Sequence, residues 1–134
     1  MTPKRLFVLN AAIAGFYGVA LLVFTDPILD IYGVDANPDG VYIARWFGLG
    51  LIATGLTTWL ARDAADSPGG RAVGRALAVT YGIGVILALW GTLSGPFNAL
   101  GWVAVGLNLL LGSSFAWLEF IQPRILAGAG NGAI

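Results

Sequence analysis

The side chains able to do chemistry in this chain sit inside apolar runs, and they are few. Arg45 interrupts the stretch DGVYIARWFGLGLIATGL (residues 39–56), Tyr17, Tyr81 and Asn108 lie within other apolar runs, and Glu119 stands near the end of the last one. Together they offer a cation, two phenolic hydroxyls, an amide and a carboxylate. Such a set can hold a ligand or tie helices together, but it contains no convergent acid–base pair and no metal cluster. Histidine and cysteine are absent. Their absence removes histidine-ligated haem, thiolate metal sites, disulfides and redox cysteines at one stroke. A non-catalytic protein is therefore the expected reading, with no metal and no catalytic residue.

Arg45 is the most informative of these groups. It lies four residues past Val41, about 6 Å into a helix at 1.5 Å per residue. Helical side chains lean towards the N-terminus, so the guanidinium can snorkel to a membrane surface. It is also a cation near the positive end of a helix dipole, and an anion should offset that. Asp26, Asp30 and Asp39 are the candidates. The preferred expectation is an ion pair that staples the segment carrying Asp26 and Asp30 over the mouth of the fold; plain snorkelling and a ligand-binding cation are the alternatives.

The elements that must position these residues follow from composition. Of 134 residues, 57% are hydrophobic and 10% charged, against about a quarter charged in a soluble domain. The chain lacks the polar material to cover its own surface in water. Seven bases balance seven acids, so no global field attracts nucleic acid. Four apolar runs, 6–24, 41–61, 72–93 and 97–121, each approach or exceed the roughly 20 residues that cross a hydrocarbon core. The expected fold is an all-α integral membrane protein, one domain, a bundle of four transmembrane helices. The first run resembles a signal peptide at its start, yet continues past Gly18-Val19-Ala20 to Phe24, so retention is expected.

Punctuation refines this. Asp26-Pro27 reads as N-cap and first helical residue, with Gly33 as the stop, which predicts a short interfacial helix after the first span. Asn37-Pro38-Asp39-Gly40 has the composition of a type I turn. Ser67-Pro68-Gly69-Gly70 reads as a chain break, Ser94-Gly95-Pro96 as a tight hairpin, and 122–134 as a flexible tail. Lys4, Arg5, Arg62, Arg71, Arg75 and Arg124 fall at the N-terminus, the second connection and the C-terminus, whereas the first connection holds four aspartates and no base. The positive-inside rule then puts both termini in the cytoplasm, in a multi-pass protein of the plasma membrane. Trp46, Trp90 and Trp102 fall near the outer interface, Trp59 and Trp117 near the inner one.

Helical spacing gives each span one stripe of small residues, the mark of a helix–helix seam in lipid. Ala11, Gly15 and Gly18 share a face; so do Arg45, Gly48, Ile52 and Gly55. Tyr81, Gly84, Ala88 and Gly91 form the third stripe, and Gly101, Val105, Asn108, Gly112, Phe115 and Glu119 the fourth. Polar groups on these stripes turn inward because lipid leaves them unsatisfied. Asn108 reads as interhelical glue before it reads as a ligand donor. Glu119 reads as a structural partner for Arg62, Arg71 or Arg75.

A first span, then DPILDIYGV, then ARWFGLGLIATGL in the second span resembles the small four-helix membrane proteins of the DoxX-like superfamily. The resemblance runs from about Arg5 to Phe120 in span count, span order and a Pro…Tyr-Gly…Ala-Arg…Gly pattern. It implies a membrane subunit associated with quinone-linked oxidation of sulfur compounds or with maturation of a periplasmic dehydrogenase. The cysteine pairs of some relatives are missing here, so thiol redox chemistry is not implied, and no catalytic residue transfers by position. The leading expectation is an accessory or scaffold subunit that associates with the bilayer and with other membrane subunits or itself, without nucleic acid and without a resident cofactor. The alternative is a quinone- or lipid-binding subunit of an oxidoreductase, with Arg45, Tyr17, Tyr81 and Asn108 as polar contacts.

Overall fold

The computed structural model describes residues 2–122, and within them every regular element is a helix, with no strand. Helix α1 spans Pro3–Val23, α2 Thr25–Ile31, α3 Pro38–Ala61, α4 Pro68–Leu93 and α5 Gly101–Ala116, the last continuing as a π-helical turn over Trp117–Ile121. A 3-10 turn, Arg62–Ala64, follows α3. The expected tail beyond Gln122 lies outside the described residues. Three helices are long and apolar enough to cross a membrane: Pro3–Val23, Pro68–Leu93 and Gly101–Ile121. Helix α3 has the length, at 24 residues, but Arg45 and the threonines at 54, 57 and 58 dilute its apolar content. The outer surface is greasy: Leu60, Trp90 and Phe16 are each more than 70% exposed, as suits a chain whose solvent is lipid.

Prolines set the helix starts, though not always where the sequence reading had them. Asn37 caps α3 by accepting from the Gly40 N–H at 2.9 Å, and Ser67 caps α4 by accepting from the Gly70 N–H at 3.1 Å, each with proline next in line. The stretches read as a turn and a chain break are thus first turns of helices. Type I turn dihedrals are close to helical ones, so the same residues serve both. Helix α2 begins at Thr25, with Phe24 and not Asp26 at the N-cap, and Pro27 in its third position. Any of the first four N–H groups of a helix lacks a partner, so proline fits there as well as at the first position. Its ring also blocks α1 from running on.

Gly33 ends α2 as expected. At φ +72° it adopts the left-handed conformation, its N–H donates to Asp30 O and that of Val34 to Leu29 O, both at 2.9 Å. This is a Schellman closure. The fourth run becomes helical only at Gly101, later than its apolar start at Phe97. Asn98 is the cause: its carboxamide oxygen accepts from the Leu100 N–H and its carbonyl from the Gly101 N–H, each at 2.9 Å, holding the chain in a turn.

The helices associate as two antiparallel pairs, α1 with α3 and α4 with α5. Gly18 and Gly48 lie backbone to backbone: a Cβ on Gly18 would stand 2.8 Å from Gly48 O, and one on Gly48 2.9 Å from Gly18 O. In the second pair Gly84 lies against the Asn108 side chain and Gly112 against Tyr81. The small-residue stripes are the seams within each pair. Large side chains join the pairs, at the end where α1 begins: Leu6, Phe7, Leu77, Leu111 and Phe115 are buried together. Phe115 stands between Phe7 and Tyr81, with ring centroids 5.9 and 6.2 Å apart.

Beside this core runs a hydrogen-bonded chain that the sequence reading did not single out. The Tyr81 hydroxyl donates to Asn10 Oδ1, and Asn10 Nδ2 donates to Thr58 Oγ1 at 3.2 Å. Asn10 and Thr58 are fully buried. One amide thereby ties α1 to both α3 and α4, and buried polar groups that are satisfied in this way fix helix register. The same end carries Lys4, Arg5, Arg62, Arg71 and Arg75, and is called the basic end below; the acidic end carries Asp26, Asp30, Asp35 and Asp39. At the basic end Lys4 Nζ contacts Asp63 at 2.5 Å and holds that exposed carboxyl below the usual range.

Candidate functional site

Towards the acidic end the two pairs part and leave a cavity of about 300 Å³. All five helices line it. Its floor is Tyr81 with Leu111, and its walls include Ile13 and Tyr17 of α1, Leu51 of α3 and Asn108 of α5; Ile28 and Leu29 of α2 form the roof with Tyr32 at that helix's C-cap, and Phe97 lies beside them. No lining residue is charged, and the polar ones are three tyrosines and one asparagine. The volume falls at the lower end of the roughly 300–1,000 Å³ typical of small-molecule sites.

Three of the four residues proposed from sequence as ligand contacts come together here: Tyr17, Tyr81 and Asn108. Tyr81 already donates its proton to Asn10, and Asn108 Nδ2 donates to Ala104 O at 2.8 Å. Tyr17 instead lies beside Tyr32 in the lining. Burial first, and that neighbour second, push the Tyr32 phenol up to about 12, so it is neutral at physiological pH. Tyr32 is a functional candidate that sequence reasoning missed. The signal was Tyr32-Gly33 at the end of α2, a residue whose place is fixed by the left-handed glycine after it.

The roof is anchored at both ends. Asn98 donates through its backbone N–H to Tyr32 O at 2.9 Å and through Nδ2 to Ile31 O at 2.8 Å, and the Phe97 ring meets Tyr32 edge-on at 6.1 Å. At the other end, Arg45 Nε donates to Thr25 Oγ1 at 3.2 Å, and Thr25 Oγ1 donates to Leu21 O at 2.6 Å. Arg45 thus does not line the cavity; it links α3 to the junction of α1 and α2. Its partner is a hydroxyl and not the expected carboxylate. Among the described residues the only carboxylates within 4 Å of a basic group are Asp63 and Glu119. Asp26 and Asp30 point outward and are exposed, because the register of α2 that turns Ile28 and Leu29 inward turns them away. Thr25, buried at 2% exposure, occupies the place within the guanidinium's reach.

Glu119 sits far from the cavity, at the basic end. It is 6% exposed, packs against Gly74, and its Oε2 lies 3.9 Å from Arg75 Nε. Arg75 was one of the three partners named from sequence. Among the described residues, no group of three or more acidic side chains is placed to hold a metal ion. Comparison of the chain with models of protein families, with curated proteins and with solved structures returns no match.

Proposed function

We propose that the chain is a four-span membrane protein that binds a neutral, lipid-like molecule, a quinone or lipid among them, in the cavity between its two helix pairs. The observation that carries this reading is the lining itself: an apolar chamber formed by all five helices, with a few polar groups and no charge. Helix α3 serves as the fourth span. Its backbone is packed against α1 along the Gly18–Gly48 seam, which supports burying it to the same depth as its partner, and Arg45 lies near enough to its start to reach a headgroup layer. Helix α2 then rests at the membrane surface. The gathering of five bases at one end and four acids at the other supports the basic end as cytoplasmic. The DoxX-like pattern of the first two spans fits this architecture, and a place in a larger membrane assembly fits it equally well. The cavity is what favours binding over a purely structural role.

Mass spectrometry of an organic extract from the purified protein tests the binding. A compound is expected in the wild-type extract and is expected to vanish in Ala104→Phe, which projects a ring into the cavity; an extract unchanged by that substitution refutes the reading. Orientation is tested by cysteine labelling, since the chain has no cysteine of its own. Asp39→Cys is expected to react with an impermeant maleimide on intact cells, and Ser67→Cys only after lysis. The reverse pattern overturns the assignment.

A further inference from the structure

The cavity's polar groups are unequal, and their inequality specifies the ligand. Tyr81 has its hydroxyl proton committed to Asn10, and Asn108 has one of its two N–H donors directed at Ala104 O. Tyr17 and Tyr32 are different. Both line the cavity, and each phenol carries one hydroxyl proton. Among the described residues, where Tyr81 and Asn108 have protein acceptors, neither hydroxyl has one. A spare O–H therefore stands in an apolar chamber where water is a poor competitor, and an unmatched donor there is costly.

The pair is also held in place. The main chain around Tyr32 is fixed by the left-handed Gly33 and by the Asn98 hydrogen bonds to Ile31 O and Tyr32 O. Tyr17 packs edge-on against Phe16, its ring 5.8 Å away. A donor positioned before the ligand arrives loses little freedom on binding. A phenol oxygen is a weaker acceptor than donor, because its lone pair is delocalised into the ring.

We infer that the Tyr17–Tyr32 pair is the head site of the cavity, and that it selects a neutral ligand with a hydrogen-bond-accepting oxygen, a ketone or other carbonyl, on an apolar body. The head lies under α2 at the acidic end, and the body extends towards Ile13, Leu51 and Leu111. A charged head is excluded by the uncharged lining, since an unpaired ion in this chamber loses its hydration without a counter-charge. This inference rests on the cavity being a binding site, as proposed above.

The test uses the full chain in detergent and the probe 6-propionyl-2-(dimethylamino)naphthalene, an uncharged aromatic ketone whose emission moves to the red when its carbonyl accepts a hydrogen bond. Wild type is expected to bind it with red-shifted emission. The double variant Tyr17→Phe/Tyr32→Phe is expected to bind about fivefold more weakly, the loss of roughly one hydrogen bond, with emission moved to the blue. Tyr42→Phe, which removes an exposed phenolic hydroxyl outside the cavity, is expected to leave the emission where it is in wild type. If the double variant binds with wild-type affinity and emission while Ala104→Phe loses the probe, the cavity is a binding site and the tyrosine pair is not its head site. If Ala104→Phe retains the probe as wild type does, the cavity reading itself fails and takes this inference with it. Phenylalanine in place of tyrosine preserves the ring packing, and the thermal unfolding of each variant reports that its fold is intact.

Discussion

The basic half and the acidic half of the bundle are built from the same apolar residue types, yet one is solid and the other hollow. In the basic half, Phe7, Phe115 and Tyr81 bridge the two helix pairs, and Asn10 ties α1 to α3 and α4. In the acidic half, Ala14, Ala44 and Ala104 face the space between the pairs. A small residue on a seam lets two backbones meet, as Gly18 and Gly48 do. The same small residue facing a gap that no backbone closes leaves a cavity. What decides between close packing and a chamber is which direction the small side chain points, and whether a large one answers it.

The comparison is broken most severely at the seam. Gly18→Leu drives a branched side chain into Gly48 O and the Ile52 backbone N, which stand 2.8 Å from the first added carbon. Neither backbone can move aside without parting the pair. A destabilisation of about 3 kcal/mol or more is expected, read as loss of the folded fraction in detergent or a large drop in unfolding temperature. Gly50→Leu, where an added Cβ meets nothing within 4 Å, is expected to be nearly neutral. Equal behaviour of the two variants overturns the division into seam and lipid face.

A smaller effect separates the two halves directly. Ala104→Leu adds volume beside the chamber, where the half-buried alanine leaves room for it, and is expected to raise stability by roughly 0.5–2 kcal/mol in protein freed of ligand. Ala78→Leu adds the same volume within the solid core, where Ala78 is packed with Leu77 and Phe115, and is expected to cost about 1–3 kcal/mol by overpacking. Thermal unfolding of the two variants in one detergent measures both. Shifts of the same sign contradict the contrast between a hollow half and a solid one.

Much of this was legible in the sequence because the rules that place it are local. Apolar length gave the four long helices, helical spacing gave the seams, and Gly33 gave the end of α2. The starts of α1, α3 and α4 were read a few residues late, because proline after Thr, Asn or Ser suits a turn and a helical first turn alike, whereas that of α5 was read too early because Asn98 holds the apolar start in a turn. The cavity was half legible. Tyr17, Tyr81 and Asn108 could be assigned to the interior, since lipid forbids them elsewhere. That they would share one chamber depends on where the pairs diverge, which no spacing encodes. Asn10 and Thr58 escaped notice although Asn10 precedes Ala14 and Gly18 at intervals of four, on the face that turns inward. Tyr32 and Asn98 lie outside the spans and meet through the fold, 66 residues apart, so neither carries a periodic signal. The carboxylate partner expected for Arg45 failed for a similar reason: charge favoured Asp26, Asp30 or Asp39, and only the orientation of α2 reveals that Thr25 stands within reach instead.

The finest distinction concerns that roof, and Arg45 is its handle. A single N–H to hydroxyl contact at 3.2 Å, on a side chain that is itself largely exposed, is worth about 1 kcal/mol. Arg45→Ala is therefore expected to leave the global unfolding temperature nearly unchanged and to act locally. Hydrogen exchange over residues 25–33 should quicken about fivefold, the factor that corresponds to that energy, while exchange in the core around Phe7 and Phe115 stays as it was. Thr25→Val removes the same contact from the other side, and the double variant should be little faster than either single one, because partners in one interaction are not additive. Asp26→Asn and Asp30→Asn, which touch no base, should leave exchange unaltered. Faster exchange in either aspartate variant, matched by Arg45→Ala and absent in Thr25→Val, would restore the ion pair and displace the hydroxyl.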